Sequence, residues 1–166
     1  MGLKKIFALF GRLFISTLFI LSALNKIFQW QQTQSGLINL FCDWQGYVGF
    51  FPSLSKMFSH FITWVPEVLI FVTALELIGA GMIFFNIKVR FGAFLLVLFM
   101  IPATILLHPF WFVTQSKMIS EMVLFLKNLA IIGGLFYIIS FGSKEIKPIE
   151  EEPIPADEPD HFDKKE

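Results

Sequence analysis

A chain of 166 residues is long enough for one domain, and this one is 55% hydrophobic and 16% charged, with a mean hydropathy of +0.70. Soluble globular domains are roughly a quarter charged, so the composition leaves too little polar surface for an ordinary water-facing body. The formal net charge of zero hides 9 Lys/Arg against 4 Asp/Glu in residues 1–143 and 4 Lys against 9 Asp/Glu in residues 144–166, and no dense basic run marks a nucleic-acid partner.

The first apolar run covers residues 6–28. At about 1.5 Å of rise per residue it spans the roughly 30 Å hydrocarbon core. Lys4 and Lys5 resemble the start of a signal peptide, but the run is too long for one and ends on Asn25-Lys26 rather than on a small-residue cleavage site. A retained first span is the expectation. With about 100° per residue, Arg12, Ser16, Ala23 and Lys26 fall on one stripe, which should face the bundle. Lys26 could instead snorkel to the outer surface, and Arg12 to the inner one, where it would serve topology.

Residues 29–63 are an aromatic-rich connection interrupted by Asp43, Gln45, Lys56 and His60. Short interfacial helices with a break at Phe51-Pro52 are expected here, and no fifth span. The single cysteine, Cys42, falls in this connection as a plain loop residue; one cysteine excludes an internal disulfide, a CxxC pair or a multi-cysteine metal site within the chain.

The second span is predicted over residues 64–85 and a basic turn at 86–90. The third covers 91–107, with Pro102 inside it, where the missing N–H removes a backbone bond. The aromatic corner His108-Pro109-Phe110-Trp111 ends it, and a fourth span follows over 119–141. Residues 144–166, rich in Glu, Asp and Pro, read as a disordered acidic tail. The fold class is therefore all-α: an integral membrane four-helix bundle in residues 1–143, with an interfacial first outer loop. Lys4, Lys5, Arg12, Lys88, Arg90, Lys144 and Lys147 on one side outnumber Lys26, Lys56 and Lys117 on the other, which places both termini in the cytoplasm.

Ionisable groups inside a span are costly and mark candidate sites. Glu76 lies near the bilayer centre and requires either a proton or a cation. Lys127 is the expected partner, at a depth within about 5 Å by helix rise, and Asn128 could donate to the same carboxylate. Small residues beside them, Gly79, Ala80, Gly81, Gly133 and Gly134, would allow close helix approach. Such a pair either fixes helix register or handles protons and ligands. His108, a residue type that titrates near neutrality, stands where the third span meets the outer surface. His60 and His161 lie elsewhere, so haem is disfavoured, and no metal cluster is visible.

These residues carry a resemblance. Gly11-Arg12-Leu13-Phe14, Ser22-Ala23-Leu24-Asn25-Lys26-Ile27-Phe28, Ala74-Leu75-Glu76-Leu77-Ile78-Gly79, Thr104-Ile105-Leu106-Leu107-His108-Pro109-Phe110-Trp111 and Phe125-Leu126-Lys127-Asn128 through Gly133-Gly134-Leu135 are similar in order and spacing to the DoxX family of small four-span membrane proteins, over about residues 6–141. The resemblance implies one connected polar site of Asn25, Lys26, Glu76, His108, Lys127 and Asn128, with Arg12 in a structural or topological role. It also implies a bacterial cytoplasmic membrane and association with membrane redox complexes. No self-contained catalytic motif is present. The expected activity is that of a quinone-interacting accessory subunit in an oxidoreductase complex, with quinone as the candidate cofactor and a redox subunit or a second copy as partner. The alternative is a non-enzymatic scaffold, or a small transporter.

Overall fold

The computed structural model describes residues 3–142; the predicted acidic tail lies outside them. Six helices follow in order: α1 Leu3–Phe28, α2 Trp30–Tyr47, α3 Pro52–Thr63, α4 Val65–Phe84, α5 Val89–Leu107 and α6 Gln115–Phe141. No strand occurs among the described residues. Four of the helices, α1, α4, α5 and α6, are long and apolar enough to cross a bilayer, and the chain is a multi-pass membrane protein.

The spans pack as α1 on α4, α4 on α5, and α5 on α6. Their shared core includes Phe19 of α1, Ala80 and Ile83 of α4, Leu96 and Met100 of α5, and Ile132 and Leu135 of α6. The predicted stripe of α1 does face inward: Ser16 and Ala23 are buried, Arg12 and Lys26 partly so. Between α4 and α5 the backbones nearly touch. A Cβ at Gly79 would meet the Gly92 carbonyl oxygen at 2.9 Å, and one at Gly92 would meet that of Gly79 at 2.7 Å. Gly79 therefore serves α5, where the sequence pointed to α6. Gly133, expected to admit a close neighbour, has nothing within 4 Å.

The connection at 29–63 is helical on both sides of a break at 48–51, and Pro52 opens α3 at a position where its missing N–H costs nothing. Cys42 is thus an exposed helical residue of α2 rather than a loop residue. Backbone bonds from Gln29 to the Asn25 carbonyl and from Thr33 to the Gln29 carbonyl carry α1 almost directly into α2. Together with Val65 at the start of α4, α2 and α3 build a second core around the aromatic residues Phe41, Trp44 and Phe58. This pair caps one end of the bundle, hereafter the capped side; Leu3 and Phe141 lie toward the other, the terminal side.

Two polar latches hold the ends. At the α5 terminus Pro109 has no N–H and the Phe110 amide turns back to His108, so the last carbonyls lack helical partners. The Trp44 indole N–H takes up one of them, the Leu106 oxygen, at 2.8 Å, while Tyr47 stacks on Phe112 at 4.7 Å. On the terminal side the α4–α5 turn places Asn86 and Lys88 at φ 58° and 45°. Arg12 donates to the Asn86 side-chain oxygen, and Arg90 donates to the backbone oxygens of Gly142 and Ser140 at the end of α6.

Candidate functional site

Glu76 is 1% exposed, in the middle of α4 and on its bundle-facing side. A carboxylate in that position needs a cation, and the structure supplies Lys26 rather than Lys127. Lys26 Nζ lies 2.7 Å from Glu76 Oε2 and donates to Ser22 Oγ at 2.8 Å. It also stands 5.5 Å from the centroid of the Phe99 ring of α5, within cation–π range. Lys26 therefore turns into the bundle; it does not snorkel to the surface.

The expected Glu76–Lys127 pair is absent for a reason of azimuth. The core face of α6 is set by Ile132, Leu135 and Ile138. Asn128 shares that side and is half-buried, whereas Lys127, one residue and about 100° away, is exposed. In addition, α6 packs on α5 and not on α4. No hydrogen bond from Asn128 to Glu76 forms.

His108 pairs with a residue outside the predicted set. Its Nδ1 lies 2.9 Å from Glu121 Oε2, tying the end of α5 to the start of α6. Phe110 and Trp111 pack on Phe125 beside it. Asn25 is exposed and accepts a hydrogen bond from Gln29 Nε2 at 3.1 Å. Of the six candidates, then, Lys26 and Glu76 meet in one cluster, His108 belongs to a separate pair at the capped side, and Asn25, Lys127 and Asn128 stand apart from both. Arg12 bonds the Asn86 side chain at the α4–α5 turn.

Two groups that the sequence reading did not select belong with the cluster. Ser22 precedes Lys26 by one helical turn and orients its ammonium. Thr73, one turn before Glu76, is 6% exposed, and its buried hydroxyl has no hydrogen-bond partner among the described residues. A spacing of three or four residues from an intramembrane charge was the signal that could have found both.

Chemically, the cluster offers an ammonium, a carboxylate, an aromatic face and a free hydroxyl in an apolar setting. No group of three or more His, Cys, Asp or Glu side chains suited to a metal occurs among the described residues. Two shallow hollows lie elsewhere on the surface. One, of about 370 Å³, is lined by His60, Trp64, Glu67 and Phe71; the other, of about 400 Å³, by residues 28–32 at the α1–α2 break. Neither contains the ion pair, which sits within the helix packing.

Compared with known proteins, residues 7–109 match a family model described as DoxX. That match runs from α1 to the His108-Pro109 corner and leaves α6 outside. No curated protein and no solved structure matches the chain.

Proposed function

The chain belongs to the DoxX family, and from that premise we propose that it is a redox-associated accessory subunit of a bacterial cytoplasmic membrane, with both termini cytoplasmic, whose Lys26–Glu76 cluster contacts a quinone. The observation that carries this reading is the ion pair itself: a carboxylate 1% exposed in mid-span, bonded to a lysine whose side chain is still 20% exposed. A quinone site requires apolar walls, a donor for a ring carbonyl and a group that passes protons. Lys26 would supply the donor, Phe99 a wall, and Glu76 the proton-handling group, with the Thr73 hydroxyl as a further donor. A bound quinone would supply two-electron, two-proton redox chemistry. The chain's own part is to bind, orient and exclude water.

The test is purification with native lipids, extraction and a quinone assay, repeated on Lys26→Ala and Glu76→Gln. Retained quinone should fall at least tenfold in either variant; unchanged retention would remove the reading.

One observation favours a non-enzymatic scaffold instead. Lys26 bonds both Ser22 and Glu76, and Arg12 bonds the α4–α5 turn, which is how polar groups fix helix register. Stoichiometric partners co-purifying without any redox-active cofactor would decide for the scaffold.

A further inference from the structure

Several charged side chains of the spans are held within the chain: Arg12 by Asn86, Lys26 by Glu76 and Arg90 by the carbonyls ending α6. Among the described residues, Glu67 and Lys117, without such a bond, stand in the first turns of α4 and α6, whereas Lys127 is an unpaired charge away from the span ends. It lies in mid-α6, exposed, with no hydrogen bond or ion pair among the described residues. Its neighbours are apolar: Leu124 and Leu126 are 38% and 52% exposed. An ammonium facing hydrocarbon is costly unless an anion meets it.

The helix register says what it faces. A Cβ on Gly134 of α6 would lie 3.5 Å from Ile15 Cδ1 of α1, which fixes where these two antiparallel helices approach. Seven residues toward the capped side from Gly134 is Lys127, and seven from Ile15 is Ser22. Two helical turns, roughly 10 Å, return each to the same flank. This register places Lys127 level with Ser22, on the flank of α6 that approaches α1. Beyond Ser22 stand Lys26, 20% exposed, and Glu76. The two helices share no extensive interface, so the seam opens sideways to lipid. It presents two ammoniums against one carboxylate.

We propose that the α1–α6 seam binds an anionic amphiphile. Its single negative head, a carboxylate or a phosphate, would sit between Lys127 and the Lys26–Ser22 group, and its acyl chain would lie along Leu124. A one-charge head balances the cluster and provides Lys127 with its missing anion. The inference shares Lys26 with the quinone reading but stands on Lys127, which that reading does not use.

The experiment is native mass spectrometry of the full chain in a neutral detergent. Oleate and phosphatidylglycerol are added in separate arms, against oleyl alcohol and phosphatidylcholine. At least one anionic probe should be retained tenfold or more over its neutral counterpart; oleate alone points to a free acid as the source, phosphatidylglycerol to a lipid headgroup. Lys127→Gln should abolish that preference and Lys127→Arg restore it. Equal retention of anionic and neutral probes overturns the proposal, as does a preference that survives Lys127→Gln. So does Lys127-dependent association with a partner's acidic span in place of lipid. A quinone arm separates the two readings. Quinone retained by Lys127→Gln while oleate or phosphatidylglycerol is lost leaves both standing. Wild-type protein that binds the anion but no quinone removes the quinone reading alone.

Discussion

At the scale of single residues, the Lys26–Glu76 pair sets the energetics of the bundle's polar interior. Breaking a buried pair from one side leaves an uncompensated charge, at a cost of about 3–5 kcal/mol. Lys26→Ala should therefore lower stability by about that amount in a denaturant titration of the detergent-solubilised protein. Replacing both members by apolar residues of similar volume, Lys26→Met with Glu76→Leu, should recover most of the loss, since the charges then leave together. Should the double variant be as unstable as the single one, the pair is not the origin of the defect. Legibility at this scale divides cleanly. Hydropathy singled out Glu76 as a group in need of a cation, and rise per residue put Lys127 at a similar depth. Depth without azimuth misassigned the partner: the 100° between Lys127 and Asn128 decides which of them faces the core. His108–Glu121 was hidden for a related reason, because it depends on how tightly the α5–α6 corner folds back.

At the scale of helices, the Gly79–Gly92 contact determines how closely α4 and α5 lie. Gly92→Val would drive a side chain into the Gly79 carbonyl and Met82 Cβ, at 2.7 Å and 2.8 Å already from the first carbon. Overpacking of this kind costs about 1–3 kcal/mol or more, so folded yield and melting temperature should both fall, while Gly133→Ala, in open space, should leave them unchanged. The cap depends on a different contact. Trp44→Phe keeps an aromatic ring against Phe58 but removes the indole N–H that serves the Leu106 carbonyl. The loss is about 1–3 kcal/mol for the unsatisfied group, read as faster amide exchange in α2 and α3 with the spans still protected. The helices themselves were legible almost to the residue: α1 and α5 end at Phe28 and Leu107, as the apolar runs do. The start of α6 was not, because its first turn, Gln115-Ser116-Lys117, is polar and apolar length cannot register it.

At the scale of the whole molecule, the sidedness argued from Lys and Arg has a built-in reporter. Cys42 is the chain's single cysteine and is exposed on α2 of the cap. With both termini cytoplasmic, a membrane-impermeant maleimide should label Cys42 from outside intact spheroplasts, and a C-terminal tag should be protected from external protease. Protection of Cys42 with exposure of the tag would invert the topology. Sequence alone conveyed the four spans and the capped loop because hydropathy reports lipid contact directly. It conveyed less about which span touches which, since all four are apolar on most sides.

The latch between Trp44 and Leu106 joins residues 62 positions apart, and the bond from Lys26 to Glu76 joins residues 50 apart. Synthesis at about 5–20 residues per second puts several seconds between the emergence of each member and that of its partner. During that interval Lys26 enters the bilayer without its carboxylate, and the α2–α3 hairpin has no third span to grip. The first helix must therefore wait at the insertion machinery or beside its lipids until α4 arrives. Both closures consequently wait on the synthesis of α4 and α5.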